Sequence, residues 1–372
     1  MQGEKIVIRG GTLVYAHGVR EADIWIEGGV IRRVGKDRLV RRTNAAAVEY
    51  DASGMYVLPG FVTFAKTSFH PGLSREDYLN AMREMVRAGC TTLVDLIAPE
   101  NWMDNAHVAY RQTIHYNSLI DYLWHVRLEA NNLTPKEVLR WCRQGYKALH
   151  VAVRKKGEIF SRDWETIAGI LSSYRAILHL QIESASGMQK EEQDEIRHCW
   201  LQTTRYWKAR TVVPGMFRDT DGFHSDGFGH LYWLTSEETE EGLRLLQRRR
   251  NLSCPIAANL HDVRLTEGRR WAQREELLSL CVRLASQNAA KAVGLYPRKG
   301  SLAPGADADL VFLKKENWLT KIAPSTILKF NELFHPVSVM SNGKWIYHNL
   351  GFSPVIGMGR WLRNAHPLSF VI

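Results

Sequence analysis

The chain has 372 residues, long enough for one large domain and a smaller companion, and its 45% hydrophobic and 24% charged content is ordinary for a globular protein. A formal net charge of +10 raises nucleic acid as a partner, but the basic residues are dispersed. Short runs at Arg41-Arg42, Arg154-Lys155-Lys156, Arg248-Arg249-Arg250 and Arg269-Arg270 lack interleaved aromatics, so no nucleic-acid module is expected and the excess charge suits an anionic ligand or an acidic partner.

Charges at Glu4, Lys5 and Arg9 break any leader pattern, and no apolar run reaches membrane-spanning length. A cytoplasmic protein with no membrane partner is expected. Residues 5 to 50 then alternate apolar and polar, with Gly28-Gly29 between two strand-like runs as a tight-hairpin signal. After Leu58-Pro59-Gly60 and a further strand, the rhythm changes to strand and helix. A helix over "REDYLNAMREMVRAG" stops at Gly89, and "TTLVDLI" at 91–97 reads as a strand. "DYLWHVRLE" precedes a helix opened by Thr134-Pro135; "KALHVAV", a helix near 163–174 and "AILHLQI" follow. "HLYWLT" leads into "SEETEEGLRLLQRRR", whose Ser236 and following glutamates suit a helix N-terminus. Near the far end "DADLVFLKK" and "PVSVMSNGKWIYHN" alternate again, with Asn342-Gly343 as a hairpin turn. The five cysteines, Cys90, Cys142, Cys199, Cys254 and Cys281, are odd in number and scattered, which suits reduced thiols.

Repeated strand–helix units over 58–295 match the typical ~250 residues of a (β/α)8 barrel. The expected fold is therefore α/β: a TIM-like barrel over 58–295, a composite β-sandwich from residues 1–57 and 296–350, and a tail, 351–372, suited to a subunit contact.

The stretch "LASQNAAKAVGLYPRKGSLAPGADADLVFLKK" at 284–315, with "LPGF" at 58–61 and "GCTTLVDL" at 89–96, resembles the cyclic amidohydrolases, especially dihydropyrimidinases and hydantoinases. The resemblance covers nearly the whole chain and is weakest from about 185 to 275. It implies two zinc ions at the barrel mouth, held by an H-x-H on the first strand, a carboxylated lysine on the fourth, single histidines on the fifth and sixth, and an aspartate on the eighth.

Laid on this sequence, the first-strand pair falls on Ala65 and Thr67, with Lys66 between them. Alanine has no donor atom and a threonine hydroxyl is a poor zinc ligand. His150 falls at the bridging lysine, where it could ligate one metal but not carry a carbamate; Gln181 and Thr235 fall at the fifth- and sixth-strand histidines. Cys254-Pro255 resembles the seventh strand, and the eighth, with its aspartate, looks deleted or rebuilt, so the barrel is expected to be shortened near strands 7 and 8. At most one first-shell ligand, His150, remains, and no metal cofactor is expected. Lys155 stands at the family's substrate-contacting tyrosine, so dihydropyrimidine or hydantoin binding is not implied.

The leading expectation is a catalytically degenerate relative acting as scaffold, regulatory subunit or ligand-binding partner, in a homodimer, a homotetramer or a complex with an active amidohydrolase relative. The alternative is a metal-independent enzyme acting on a C–N bond of a cyclic amide through Lys66, His150 and Glu183. A rebuilt metal site in "FRDTDGFHSDGFGH", using Asp219, Asp221, His224, Asp226 and His230, is a weaker option, because its spacing matches neither an EF-hand nor H-E-x-x-H and its composition suits turns. His179 reads as a core histidine, and His261-Asp262 with Cys254 has nucleophilic residue types without triad spacing.

Overall fold

Two-residue turns organise both ends of the chain. Glu27 pairs with Val30 across Gly28-Gly29, and Ser341 with Lys344 across Asn342-Gly343. All four turn residues have φ between 51° and 78°, the left-handed region that such turns require and that glycine and asparagine accept most readily. In the computed structural model, residues 4–36, 47–65, 69, 73–97, 113–183, 188–215, 230–248, 256–265, 274–317, 328–329, 334–353 and 356–363 are described.

The first five strands are β1 (Lys5–Tyr15), β2 (Gly18–Glu27), β3 (Val30–Gly35), β4 (Ala47–Asp51) and β5 (Met55–Pro59). The next eight are β6 (Phe61–Phe64), β7 (Cys90–Ile97), β8 (Asp121–Glu129), β9 (Ala148–Val153), β10 (Ile177–Ile182), β11 (Thr211–Pro214), β12 (His230–Trp233) and β13 (Ile256–Ala257). The chain continues through β14 (Arg264–Leu265), β15 (Leu310–Lys314), β16 (Leu328–Lys329), β17 (Ser338–Ser341), β18 (Lys344–His348) and β19 (Gly351–Phe352).

β1–β5 join β15 and β17–β19 in one nine-stranded sheet, with β15 antiparallel to β5 at Leu310↔Pro59. Both chain ends therefore build it, as the alternating patterns predict. It is one hydrogen-bonded sheet, and its β3 edge returns to the segment before β15, Ile31 N–H donating to Ala306 O at 2.8 Å.

β6–β13 form an eight-stranded sheet with parallel pairing in sequential order, the arrangement of a TIM barrel. This corrects the strand count. "TVVP" at 211–214 is the sixth strand, "HLYW" the seventh, and the residues after Cys254-Pro255 the eighth. An eighth strand is thus present, but β13 has two residues. A four-residue strand between a long helix and a Gly-rich loop gives too few alternations for β11 to register as a strand.

β6 and β13 are joined by side chains where a ladder would otherwise close the barrel. Phe64 N–H donates to Asn259 Oδ1 at 2.9 Å. The segment Arg283–Ala292 lies against both strands: Ser286 Oγ donates to Gly60 O at 2.7 Å and Asn288 Nδ2 to Ile256 O at 2.7 Å. Ala285, Ala289, Ala290 and Ala292 on this wedge are fully buried, and their small side chains allow its backbone to approach the strands closely.

Lys291 on the wedge is buried, its ammonium 5.1 Å from the centre of the Tyr296 ring, and burial, reinforced by Arg283, lowers its pKa to about 8. The unfolded chain keeps the ordinary value, so stability should rise with pH between about 8 and 10 and be flat in this respect below 8. Lys291→Met should raise stability near neutral pH, by up to about 3 kcal/mol, and remove that slope. Urea titrations at several pH values check it.

Candidate functional site

Two residues up a strand is one layer further along the barrel interior. The deepest layer is apolar: Val62, Val94, Leu123, Ile177, Val212, Leu231 and Ala257 pack with the wedge alanines. One step higher stand Phe64 on β6, His125 on β8, His150 on β9, His179 on β10, Trp233 on β12 and, past β13, Asn259.

The three histidines meet. His125 Nδ1 and His150 Nε2 are 2.9 Å apart, and the His150 and His179 rings stack at 4.3 Å with a 10° interplanar angle. Phe64 sets its ring edge-to-face against all three, at 5.4, 5.8 and 5.9 Å. His125 is 1% exposed and His179 3%. Burial holds His125 and His150 well below the ordinary imidazole value and lowers His179 to about 3, so all three are neutral. His179 hydrogen-bonds the Ala292 carbonyl at the end of the wedge, and its Nε2, like His125 Nε2, is buried without a hydrogen-bond partner. One ring nitrogen from each histidine lies within 4.8 Å of the others.

Above them the mouth on this side is occupied by charge. Arg127 Nη2 bridges Glu129 Oε1 at 2.8 Å and also pairs with Glu183; Arg154 bridges Glu129 at 2.7 Å and Glu183 at 2.6 Å. Two guanidiniums and two carboxylates form a closed, neutral ring over β8, β9 and β10. Gln181, between this ring and His179 along β10, has a buried Oε1 with no partner.

Ala65 follows β6, its N–H donating to Val94 O at 2.9 Å and its side chain packed against the core. Lys66 and Thr67 lie outside the described residues, as do Cys254 and, in the Gly-rich loop, Asp219, Asp221, His224 and Asp226. His230 is not in that loop; it begins β12 and faces Thr204 of the helix Lys190–Tyr206, Nε2 to Oγ1 3.3 Å. Thr235 follows the seventh strand and not the sixth, and donates to Glu238 at 2.8 Å at the entry of a helix. His150 and Glu183 form no acid–base pair: Glu183 is bound by two arginines and His150 Nε2 by His125. Tyr146 and Lys155 flank opposite ends of β9. His261 and Asp262 lie 3.7 Å apart in a short 3-10 turn after β13.

These residues do not fit a binuclear zinc centre. Ala65 supplies no donor atom, an imidazole stands where a bridging carbamate is required, and the residue past the eighth strand is the amide Asn259, bonded to Phe64 and Asp262. His150, the one family position expected to keep a ligand, has two histidine neighbours that fall at none of those positions. His125 was missed. The available signal was "DYLWHVRLE", where polar residues recur at every second position, His125, Arg127 and Glu129, of a strand otherwise buried.

Comparison with known proteins follows the same lines. A family model described as "Amidohydrolase family" matches residues 258–346, from the last barrel strand into the terminal sheet. Dihydropyrimidinase-related protein 5 of Mus musculus is 22% identical over 457 aligned positions, covering 96% of this chain and 80% of the relative. D-phenylhydantoinase of Escherichia coli (strain SE11) is 23% identical over 460, covering 96% and 98%. An alignment of 460 positions that holds 96% of a 372-residue chain leaves about 100 positions without a counterpart here. Among solved structures, dihydropyrimidinase from Brevibacillus agri superimposes with a TM-score of 0.72 at 17% identity, covering 98% of this chain and 99% of the other. L-hydantoinase from Arthrobacter aurescens does so with 0.66 at 14%, covering 96% and 99%. Among the described residues no helix is long and apolar enough to cross a membrane.

Proposed function

We propose that this chain, a dihydropyrimidinase- and hydantoinase-like member of the amidohydrolase superfamily, is a catalytically degenerate form that acts as a scaffold, a regulatory subunit or a ligand-binding partner. The observation that carries this reading is the mouth itself. Arg127, Glu129, Arg154 and Glu183 pair with one another in a neutral ring, and Ala65 brings no donor atom to the end of the first strand. Two divalent ions need convergent anionic ligands, and the carboxylates Glu129 and Glu183 are already engaged by guanidiniums. Hydrolysis by the family's route also needs a metal-activated water, for which these residues supply no binuclear site.

The metal-independent alternative through Lys66, His150 and Glu183 is less well supported, because an engaged Glu183 and a sharply depressed His150 leave no free acid–base pair. Assembly as a homodimer or homotetramer, or with an active relative, is the partner reading. Phe160 and Tyr206 support it: they are 64% and 77% exposed and line one groove beside a barrel helix. We assign it to the cytoplasm, with division into a terminal sheet unit (1–57 and 296–350), a barrel (58–295) and a tail (351–372). The described part of the tail packs on its own barrel, Gly359 N–H donating to Ser118 O at 3.0 Å and Leu362 N–H to Tyr122 O at 2.8 Å.

The full chain, purified and supplied with zinc, should release no ring-opened product from dihydrouracil or hydantoin above the buffer rate. Chelator-sensitive turnover would sink the reading.

A further inference from the structure

We infer that His125, His150 and His179 form a mononuclear transition-metal site, filled best by zinc, one residue layer deeper in the barrel than the binuclear centre of the family. The ligand set differs from that centre. His125 is on the third strand, which contributes no ligand to the family's set, and His179 is two residues below Gln181, where the fifth-strand ligand falls.

Three observations converge. First, one ring nitrogen from each histidine lies within 4.8 Å of the others on adjacent strands. Zinc–imidazole bonds of about 2.0–2.1 Å in a tetrahedron place ligand nitrogens roughly 3.4 Å apart. Binding would turn the His150 and His179 rings out of their parallel stack and exchange the 2.9 Å contact between His125 and His150 for metal bonds.

Second, the acceptors are left over. The hydrogen bond to the Ala292 carbonyl fixes His179 with its proton on Nδ1, because Nε2 has no partner, so the Nε2 lone pair is buried with no donor facing it. A carbonyl that orients a ligating imidazole is the usual outer-shell device at metal sites. His125 Nε2 and Gln181 Oε1 are buried and unpartnered as well. Three such atoms on β8 and β10, the strands either side of β9, are costly in a folded interior, at about 1–3 kcal/mol each. A cation satisfies the nitrogens, and a water or small anion in its fourth position could be received by Gln181.

Third, the donor chemistry is selective. Three neutral imidazoles with no carboxylate suit zinc and its neighbours, not magnesium or calcium. Phe64 and Trp233, 4.5 Å apart in an edge-to-face pair, close the same layer with apolar surface. The charged groups above the layer form the neutral Arg127–Glu129–Arg154–Glu183 ring, so no net positive charge from it opposes a cation.

Metal analysis of the purified full chain after extensive dialysis should give about one zinc per chain, the occupancy of a single tetrahedral site. Cobalt exchanged for zinc should show the intense visible bands of a four-coordinate site. His179→Gln and His125→Gln, each checked by circular dichroism, should weaken zinc binding by more than the roughly 10–100-fold typical of losing an outer-shell partner. The cobalt spectrum needs no variant, so misfolding of the substituted chains leaves the test intact. Absence of stoichiometric zinc together with an octahedral cobalt spectrum would overturn the site. So would full zinc retention in both variants. The outcome is separable from the functional reading: one zinc without cyclic-amide turnover upholds both, no zinc defeats this inference alone, and two zincs with turnover defeat both.

Discussion

Lys299→Met should cost about 3–5 kcal/mol of stability, read as a shift in the urea midpoint. Lys299 is a buried lysine whose Nζ lies 2.7 Å from Asp121, 3.0 Å from Asp307 and 2.6 Å from Asp309. Burial alone would lower its pKa, but the three carboxylates overcome that and hold it above the ordinary lysine range. Arg360 adds bonds to Asp121 and Asp307 at 3.0 and 2.9 Å, and Asn342 Nδ2 bonds Asp121 at 2.8 Å. The cluster ties the lower end of β8 to the terminal sheet and the tail, and its charges balance once Arg298 is included. Removing the lysine leaves carboxylates that are almost fully buried with partners that are half exposed, Arg298 and Arg360. Breaking a buried ion cluster from one side is far costlier than replacing it whole. Asp309→Asn added to Lys299→Met should therefore recover part of the loss, and a purely additive double mutant would argue against the coupling. The "PRKG" and "GADAD" segments, the most specific part of the resemblance, carry Lys299, Asp307 and Asp309, and they hold units together at the end of the barrel away from the mouth.

Gly60→Ala should destabilise by about 3 kcal/mol or more, the upper end of overpacking costs. A Cβ at Gly60 would stand 2.0 Å from Thr91 Oγ1 and 2.7 Å from its Cβ. Neither can retreat readily, because Thr91 and its neighbours on β7 are buried. Gly60 N–H also donates to Asp309 O at 2.9 Å, and its carbonyl receives Ser286 of the wedge. Thr91→Gly should restore a large share of the loss in the double mutant. If Gly60→Ala is tolerated within about 0.5 kcal/mol, the value for an inconsequential substitution, the close approach between Gly60 and β7 is wrong.

Much of the architecture follows from local rules. Gly28-Gly29 and Asn342-Gly343 each require left-handed residues, so the hairpins at both ends were legible without coordinates. Thr134, which opens its helix in the sequence, accepts from Glu137 N–H at 3.3 Å, and Ser74 does the same for Asp77 N–H at 3.1 Å. β11 and β13 escaped detection because four and two residues carry almost no periodic signal; their neighbours, not their own sequences, make them strands.

The sequence by itself determined the β/α rhythm, the building of a β unit from both ends, and an alanine without a donor atom at the end of the first barrel strand, since each is a property of residue type at short range. Tertiary structure alone decided that His125, His150 and His179 share one layer, that Glu183 belongs to two arginines, and that Lys299 sits among three aspartates. Those meetings depend on strand register and barrel curvature, which bring together residues up to 178 positions apart and which no local pattern encodes.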